Sequence, residues 1–354
     1  MAEALSNIER LEQRLHADWA HIKAAQKLAI AKRAELRSAL AGLDSEDTSI
    51  VVSGSLARDE FTEGSDIDWT LLIDGSADPG HYDLTARIQA SVDRIAAKPT
   101  GAEGLFSTMV FSHDLIHQIG GDDDTNRNTT RRLLLLLESC AVGREAAHRR
   151  VTRNILNRYL LEDRGFWKGS PYRIPRFLQN DFARYWRTIA VDFAYKVRKR
   201  SGKGSAIRNA KLRMSRKLIY VSGLLACFQC HLDHTPDQWK EIAKSMDRRE
   251  QIVDYFHGVF RQTPLEITAS VLLRFPHLDQ ASTQIFGSYN DFLGLLANPE
   301  SRQLLETVTE DKAETDPTFL KARSLSHIFR DGLMTIFFDP QSGLEELTKN
   351  YGVF

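Results

Sequence analysis

Asp66 and Asp68 open the run Asp66-Ile67-Asp68-Trp69-Thr70-Leu71-Leu72-Ile73. Side chains of an extended segment alternate between its two faces, so carboxylates two positions apart leave one face close to each other. Two anions so placed repel. A divalent cation removes that cost, and hard carboxylate oxygens suit magnesium, which keeps several waters and takes its other ligands from phosphate oxygens. Ten residues separate this pair from Gly54-Ser55, which ends the β-branched run Ile50-Val51-Val52. A glycine there lets the backbone approach a phosphate, while the serine hydroxyl and the following amides can donate to its oxygens. The chemistry on offer is metal-assisted handling of phosphate.

Elements must hold these groups in place. Leu5, Ile8, Leu11, Leu15, Trp19 and Ile22 recur at steps of three and four, which predicts one long amphipathic helix over residues 1–44. The period then changes: Ile50-Val51-Val52 and the run from Asp66 to Ile73 read as strands. Leu84, Ile88, Val92 and Ile95 mark a helix over 82–97, and Thr108-Met109-Val110-Phe111 starts another extended segment. This is a β, α, β alternation. After Arg131 nearly every segment reads helical, interrupted near Gly169, Gly202, Pro236, Pro264 and Pro317. The expected fold class is α+β: an N-terminal helix (1–44), a small mixed-sheet catalytic domain (45–160) and an all-helical domain (161–354).

The composition of the 354-residue chain, 42% apolar and 27% charged, excludes a disordered or collagen-like polymer. No apolar window of about 18 residues offers a membrane span, and the charged start does not read as a signal peptide, so a cytoplasmic location is expected. Three cysteines form no disulfide framework. The formal charge is zero, yet residues 151–220 hold 18 Lys and Arg against 4 Asp and Glu. A solvated helical surface is the ordinary reading of a charge run. So many uncompensated cations repel one another unless an anion sits among them, and a phosphate-bearing partner is the sharper reading.

The segment Gly54-Ser55-Leu56-Ala57-Arg58-Asp59-Glu60-Phe61-Thr62-Glu63-Gly64-Ser65-Asp66-Ile67-Asp68 resembles the signature of the polymerase-β-type nucleotidyltransferase superfamily. Within it, the wording is most similar to the branch holding the bacterial uridylyltransferase of nitrogen signalling and its small relatives. The run Leu134 to Leu137 with Glu138-Ser139 and Gly143 is similar to a segment that follows the sheet there. The resemblance covers residues 50 to about 145. Asp59 departs from it, standing where that branch commonly has glycine. No phosphohydrolase or ligand-sensing domain follows, so the nitrogen-regulatory role does not carry over.

The resemblance implies transfer of a nucleoside monophosphate from a triphosphate, ATP by default, to an acceptor hydroxyl with two magnesium ions and release of pyrophosphate. It also implies a third carboxylate from a later strand. Asp114, closing the run Thr108 to Phe111, is the expected residue, with Asp122, Asp123 and Asp124 as alternatives. A helical second domain would supply a lysine and a hydroxyl to the triphosphate. Arg208, Lys211 and Ser215 flank the apolar stripe Ile207, Ala210, Met214, Leu218, Val221 and Leu225 and are expected in that role. A non-catalytic nucleotide- or RNA-binding module is the other reading. The acceptor (protein, RNA, nucleotide or metabolite) is left open.

Three further motifs have bland explanations. Lys199 to Ser205 lacks the first glycine of a phosphate loop and reads as a basic loop. Cys227-Phe228-Gln229-Cys230-His231 spells a haem or zinc motif, but it continues an apolar helix and reads as core. The spacing of Phe182, Tyr185, Trp186, Ile189 and Phe193 favours a buried helix face over base stacking.

Overall fold

The computed structural model describes residues 5–96, 108–168, 171–199, 202 and 204–352. Lys203 and part of the basic loop, and the end of the 82–97 helix, lie outside them. The chain gathers into two compact units, each built from separate stretches: Met1–Ala24, Pro171–Thr235 and Pro264–Phe354 form one, and Ala25–Ser170 with Pro236–Thr263 form the other. These borders run elsewhere than the division at 44 and 160. Contacts through space set them, and two such contacts are with the helices Pro236–Ile242 and Met246–Phe260, which the chain returns to the sheet-bearing unit. The architecture is α+β.

The single N-terminal helix of the sequence reading is two helices, α1 (Asn7–Arg14) and α2 (Ala20–Ala39). Ser6 and Glu9 cap α1 reciprocally, and His16 takes a left-handed backbone (φ 50) that ends its continuation. The break lets Leu11 bury completely and Trp19 stack on Phe286 at 4.6 Å. Both packing gains fall in the helical unit, where apolar stripes of successive helices interlock. Ile207, Ala210, Met214, Leu218, Val221 and Leu225 are all buried, as their spacing predicts. Cys227 and Cys230 are also buried, inside the helix Lys217–Asp233, as the core reading expects. Gly223 in that helix faces the Phe182 ring at a distance that leaves no room for a Cβ (2.8 Å).

The sheet-bearing unit holds strands β1 (Thr48–Ser53), β2 (Asp68–Ile73), β3 (Met109–Phe111) and β4 (Ser139–Ala141) in the order β3-β2-β1-β4. β1 pairs antiparallel with β2 and β4, and β3 runs parallel to β2 after a crossover through α3 (Gly80–Ile95). α4 (Ser112–Ile116), α5 (Asn126–Leu137) and α6 (Ala146–Leu161) follow the last two strands. β4 is the element that the helical reading of 131 onward omits: its three residues sit between two strong helices, and only pairing with β1 makes them a strand.

Alternation divides the sheet cleanly. Ile50, Val52, Trp69, Leu71 and Ile73 face α2 and α3 and share a core with Ala29, Leu36, Ile88 and Val92. The opposite face carries Ser49, Val51, Ser53, Asp68, Thr70 and Leu72, together with Ser139 and Ala141 by register, and α6 packs on it. Ser49 anchors α6 by accepting from the His148 amide (3.1 Å) and donating to the Arg144 carbonyl (2.6 Å).

Arg132 is fully buried. Its guanidinium donates to both oxygens of Asp124 (3.1 and 2.9 Å) and to the Tyr159 hydroxyl (2.7 Å), joining the turn before α5 to α6. Arg132→Met removes the cation and strands a buried carboxylate, so it is expected to cost about 3–5 kcal/mol in chemical denaturation, more than Asp124 and Arg132 removed together. Equal losses for the single and double variants would show that the pair carries no such coupling.

Candidate active site

The turn after β1 is shaped by its backbone. Gly54 adopts φ +70, where a side chain is strained, and a short 3-10 turn, Gly54–Leu56, carries the chain away from the sheet. Ser53 stands opposite Asp68 on β2, and a Cβ placed on Gly54 would sit 3.2 Å from Asp68 Oδ2. The glycine therefore makes room for the carboxylate, and turn and acid form one cradle. β2 begins at Asp68, so Asp66 belongs to the preceding loop and is solvent-exposed, while Asp68 is half-buried. The strand starts later than the sequence pattern predicts because its partner β1 ends at Ser53, opposite Asp68.

Two arginines and their carboxylate partners hold the cradle. Arg33 of α2 donates to the Leu56 carbonyl and pairs with Asp59, both at 2.5 Å. Asp59 has φ 61, a left-handed backbone that glycine takes most readily and that aspartate is among the few other residues to tolerate. Burial pushes the Asp59 carboxyl above its ordinary range, against the opposing charge of Arg33. Arg58, buried, donates Nε and Nη2 to Glu60 (2.9 and 2.8 Å) and Nη1 to Glu138. Glu138 immediately precedes β4, whose Ser139 pairs with Ser53, so this bridge ties the turn to the far side of β1. Sequence reasoning quoted Arg58 and Glu138 in two separate motifs and gave neither a role. Glu138 carried a signal, a charge directly after the apolar run Leu133 to Leu137, whereas Arg58 sits in a segment rich in charge and had none.

The remaining expected residues are dispersed. β3 parallels β2 with Phe111 opposite Ile73, so Asp114 in α4 leaves the sheet beyond the carboxyl end of β2. Asp68 is at the amino end, five residues and about 16 Å of strand away. Asp114 instead lies in the field of Arg131, whose pKa burial and the neighbouring Arg127 push down to about 10 while Asp114 opposes the shift. Asp124 is the structural partner of Arg132, and Asp122 and Asp123 are exposed. Among the described residues no group of three or more His, Cys, Asp or Glu is arranged to hold a metal ion. In the helical unit, Arg208 and Lys211 are half-exposed on the helix Ser205–Lys211, whereas Ser215 is buried and accepts from the Tyr289 hydroxyl (3.3 Å).

Comparison with known families bears on this turn. Residues 33–100 match the family model of the nucleotidyltransferase domain. The match begins at Arg33, which holds the turn, and takes in Gly54-Ser55, Asp66 and Asp68; it ends before β3. No curated protein and no solved structure gives a significant match. The matched residues thus include the cradle, and neither Asp114 nor the cations of the helical unit fall among them. No helix among the described residues is long and apolar enough to cross a membrane.

Gly54→Ala introduces both a strained φ and a methyl group against Asp68. It is expected to destabilise the protein by about 1–2 kcal/mol and to lower nucleotide affinity, measured by thermal denaturation and by nucleotide titration. A variant that binds and melts like the native chain would show that the cradle tolerates a Cβ.

Proposed function

We propose that this protein is a magnesium-dependent nucleotidyltransferase. An acceptor hydroxyl attacks the α-phosphorus of a nucleoside triphosphate, the bond from that phosphorus to the bridging oxygen breaks, and pyrophosphate leaves. The reading rests on one observation above all: the Asp68 carboxylate lies against the Gly54 turn, inside the segment that matches the nucleotidyltransferase domain. Hard oxygen donors on Asp66 and Asp68, beside a backbone cleared of side chain, fit a divalent ion that also touches phosphate. What such an ion supplies when bound is neutralisation of charge on the phosphate oxygens.

The chain's own groups do the rest. Gly54 and Ser55 present backbone amides and a hydroxyl to the triphosphate, and the ion pairs of Arg33 and Arg58 keep that loop from relaxing. Asp68, fixed by its register opposite Ser53, and the exposed Asp66 form the ligand pair. Arg208 and Lys211, half-exposed in the helical unit, are cations of the kind that phosphate takes, whereas the Ser215 hydroxyl is engaged in the core. ATP is the default donor, and the acceptor is a hydroxyl of undefined origin.

The position of Asp114 favours a second reading, a nucleotide-binding module of the same fold without turnover. Radiolabel transfer and pyrophosphate release from each of the four triphosphates, in the presence of cell extract, separate the two. Asp66→Asn and Asp68→Asn are each expected to lower transfer by about 10²-fold or more with circular dichroism unchanged. Transfer at native rates in both variants would refute the assignment, and magnesium-dependent binding with no transfer from any triphosphate would favour the binder.

A further inference from the structure

A cavity of about 120 Å³ opens on the α6 side of β4, wholly inside the sheet-bearing unit. This is far above the roughly 15 Å³ that one water needs, and is the scale of one small polyatomic ion. Ser139, Thr152, His148 and His257 line its interior, and Arg149 and Arg261 line it further out. Ser139 faces Ser53 across one strand spacing, and Ser53 faces Asp68 across another, so the cavity starts about 10 Å from the proposed metal ligands and involves none of them.

The hydrogen bonds dictate what the histidines offer. Ser139 donates its proton to the Leu135 carbonyl (2.6 Å) and is 2.8 Å from His148 Nε2. Its oxygen therefore accepts from an Nε2–H. Thr152 likewise donates to the His148 carbonyl (2.8 Å) and lies 3.2 Å from His257 Nε2. Each hydroxyl thus pins an Nε2–H tautomer, leaving Nδ1 as the nitrogen that takes up a proton. The same bonds exclude a serine nucleophile activated by His148, since the imidazole is the donor to Ser139. Near the rim, Glu145 pairs with Arg261 at 3.3 Å, while Arg149 has no side-chain partner among the described residues. Arg149 and Arg261 against one exposed glutamate leave the lining with an excess of positive charge, which repels a metal cation and suits an anion.

We propose that this cavity is a binding site for a tetrahedral oxyanion of the phosphate class, held by Arg149 and Arg261 and by His148 and His257 in protonated form. Binding is coupled to proton uptake. Burial, then the charges of His257 and Arg261, push free His148 down to about 4. Burial followed by Arg261, Arg149 and Arg153 lowers His257, with only Asp254 opposing. A bound anion raises both, so affinity grows as pH falls towards the free-state values and is lost as pH rises through the bound-state ones. Cys140, also in the lining, stays a thiol throughout, because burial raises its pKa to about 11.

The test is calorimetric titration of the full chain with sulfate, whose charge is fixed, at about pH 5.5 and about pH 8, with inorganic phosphate, pyrophosphate and AMP as further arms. One saturable site is expected, tightening about tenfold or more at the lower pH. Arg149→Gln with Arg261→Gln should abolish it, and Arg150→Gln, on the same helix but paired with Asp74, should leave it intact. His257→Gln should keep binding but flatten its pH dependence. Competition by AMP would identify a nucleotide phosphate as the source, and binding of the inorganic ions alone a free anion. Absence of saturable binding, binding that survives the double arginine variant, or affinity indifferent to pH would each overturn the proposal. Asp66→Asn and Asp68→Asn should not alter it, so the site and the transferase reading can fail separately.

Discussion

The close approach of the Asp68 carboxylate to the backbone at Gly54 constrains everything around it. A side chain at that position would crowd the acid, and an ordinary φ would send the chain elsewhere. Glycine takes that backbone without strain, and the turn it opens is held in place from outside. Arg33 supports it from α2, and Arg58 spans from the turn to Glu60 and Glu138. These are ion pairs with little solvent around them, where removing one partner is far more damaging than the pair is stabilising.

The sheet supplies the rigidity that the turn lacks. Its α2/α3 face is an apolar core, so the register of β1 and β2 is strongly specified: a slip by one residue would drive Asp68 and Ser53 into that core and expose Trp69 and Val52. The other face keeps a row of polar side chains, Asp68, Ser53 and Ser139, across three strands. The cradle and the oxyanion cavity lie at the two ends of that row. The geometry places one beside acidic oxygens and the other beside cations, opposite electrostatic settings on neighbouring strands.

Local pattern carried much of this into the sequence. β-branched runs mark β1 and β2, steps of three and four mark the buried faces of the helices, and Gly54-Ser55 followed by Asp66 and Asp68 marks the turn and the acids. Those signals are short-range, and each depends on side-chain type and backbone freedom within one element. The left-handed backbone at His16 had no such signal, and neither did β4, whose Ser-Cys-Ala is a strand only through its partner β1. Asp114 shows the same limit: parallel pairing of β3 with β2, which no residue of the run 108–114 announces, puts that aspartate at the wrong end of the strand for Asp68.

By itself the sequence determined an α+β chain with a glycine turn and an acidic pair, because propensity, alternation and glycine's conformational freedom are properties of neighbouring residues. Only the tertiary structure decided that Arg58 reaches Glu138, that Asp124 serves Arg132, and that residues 135–152 enclose a cavity with residues 257–261. Those are long-range facts, set by which faces must be buried against which, and a one-dimensional pattern holds no record of that choice.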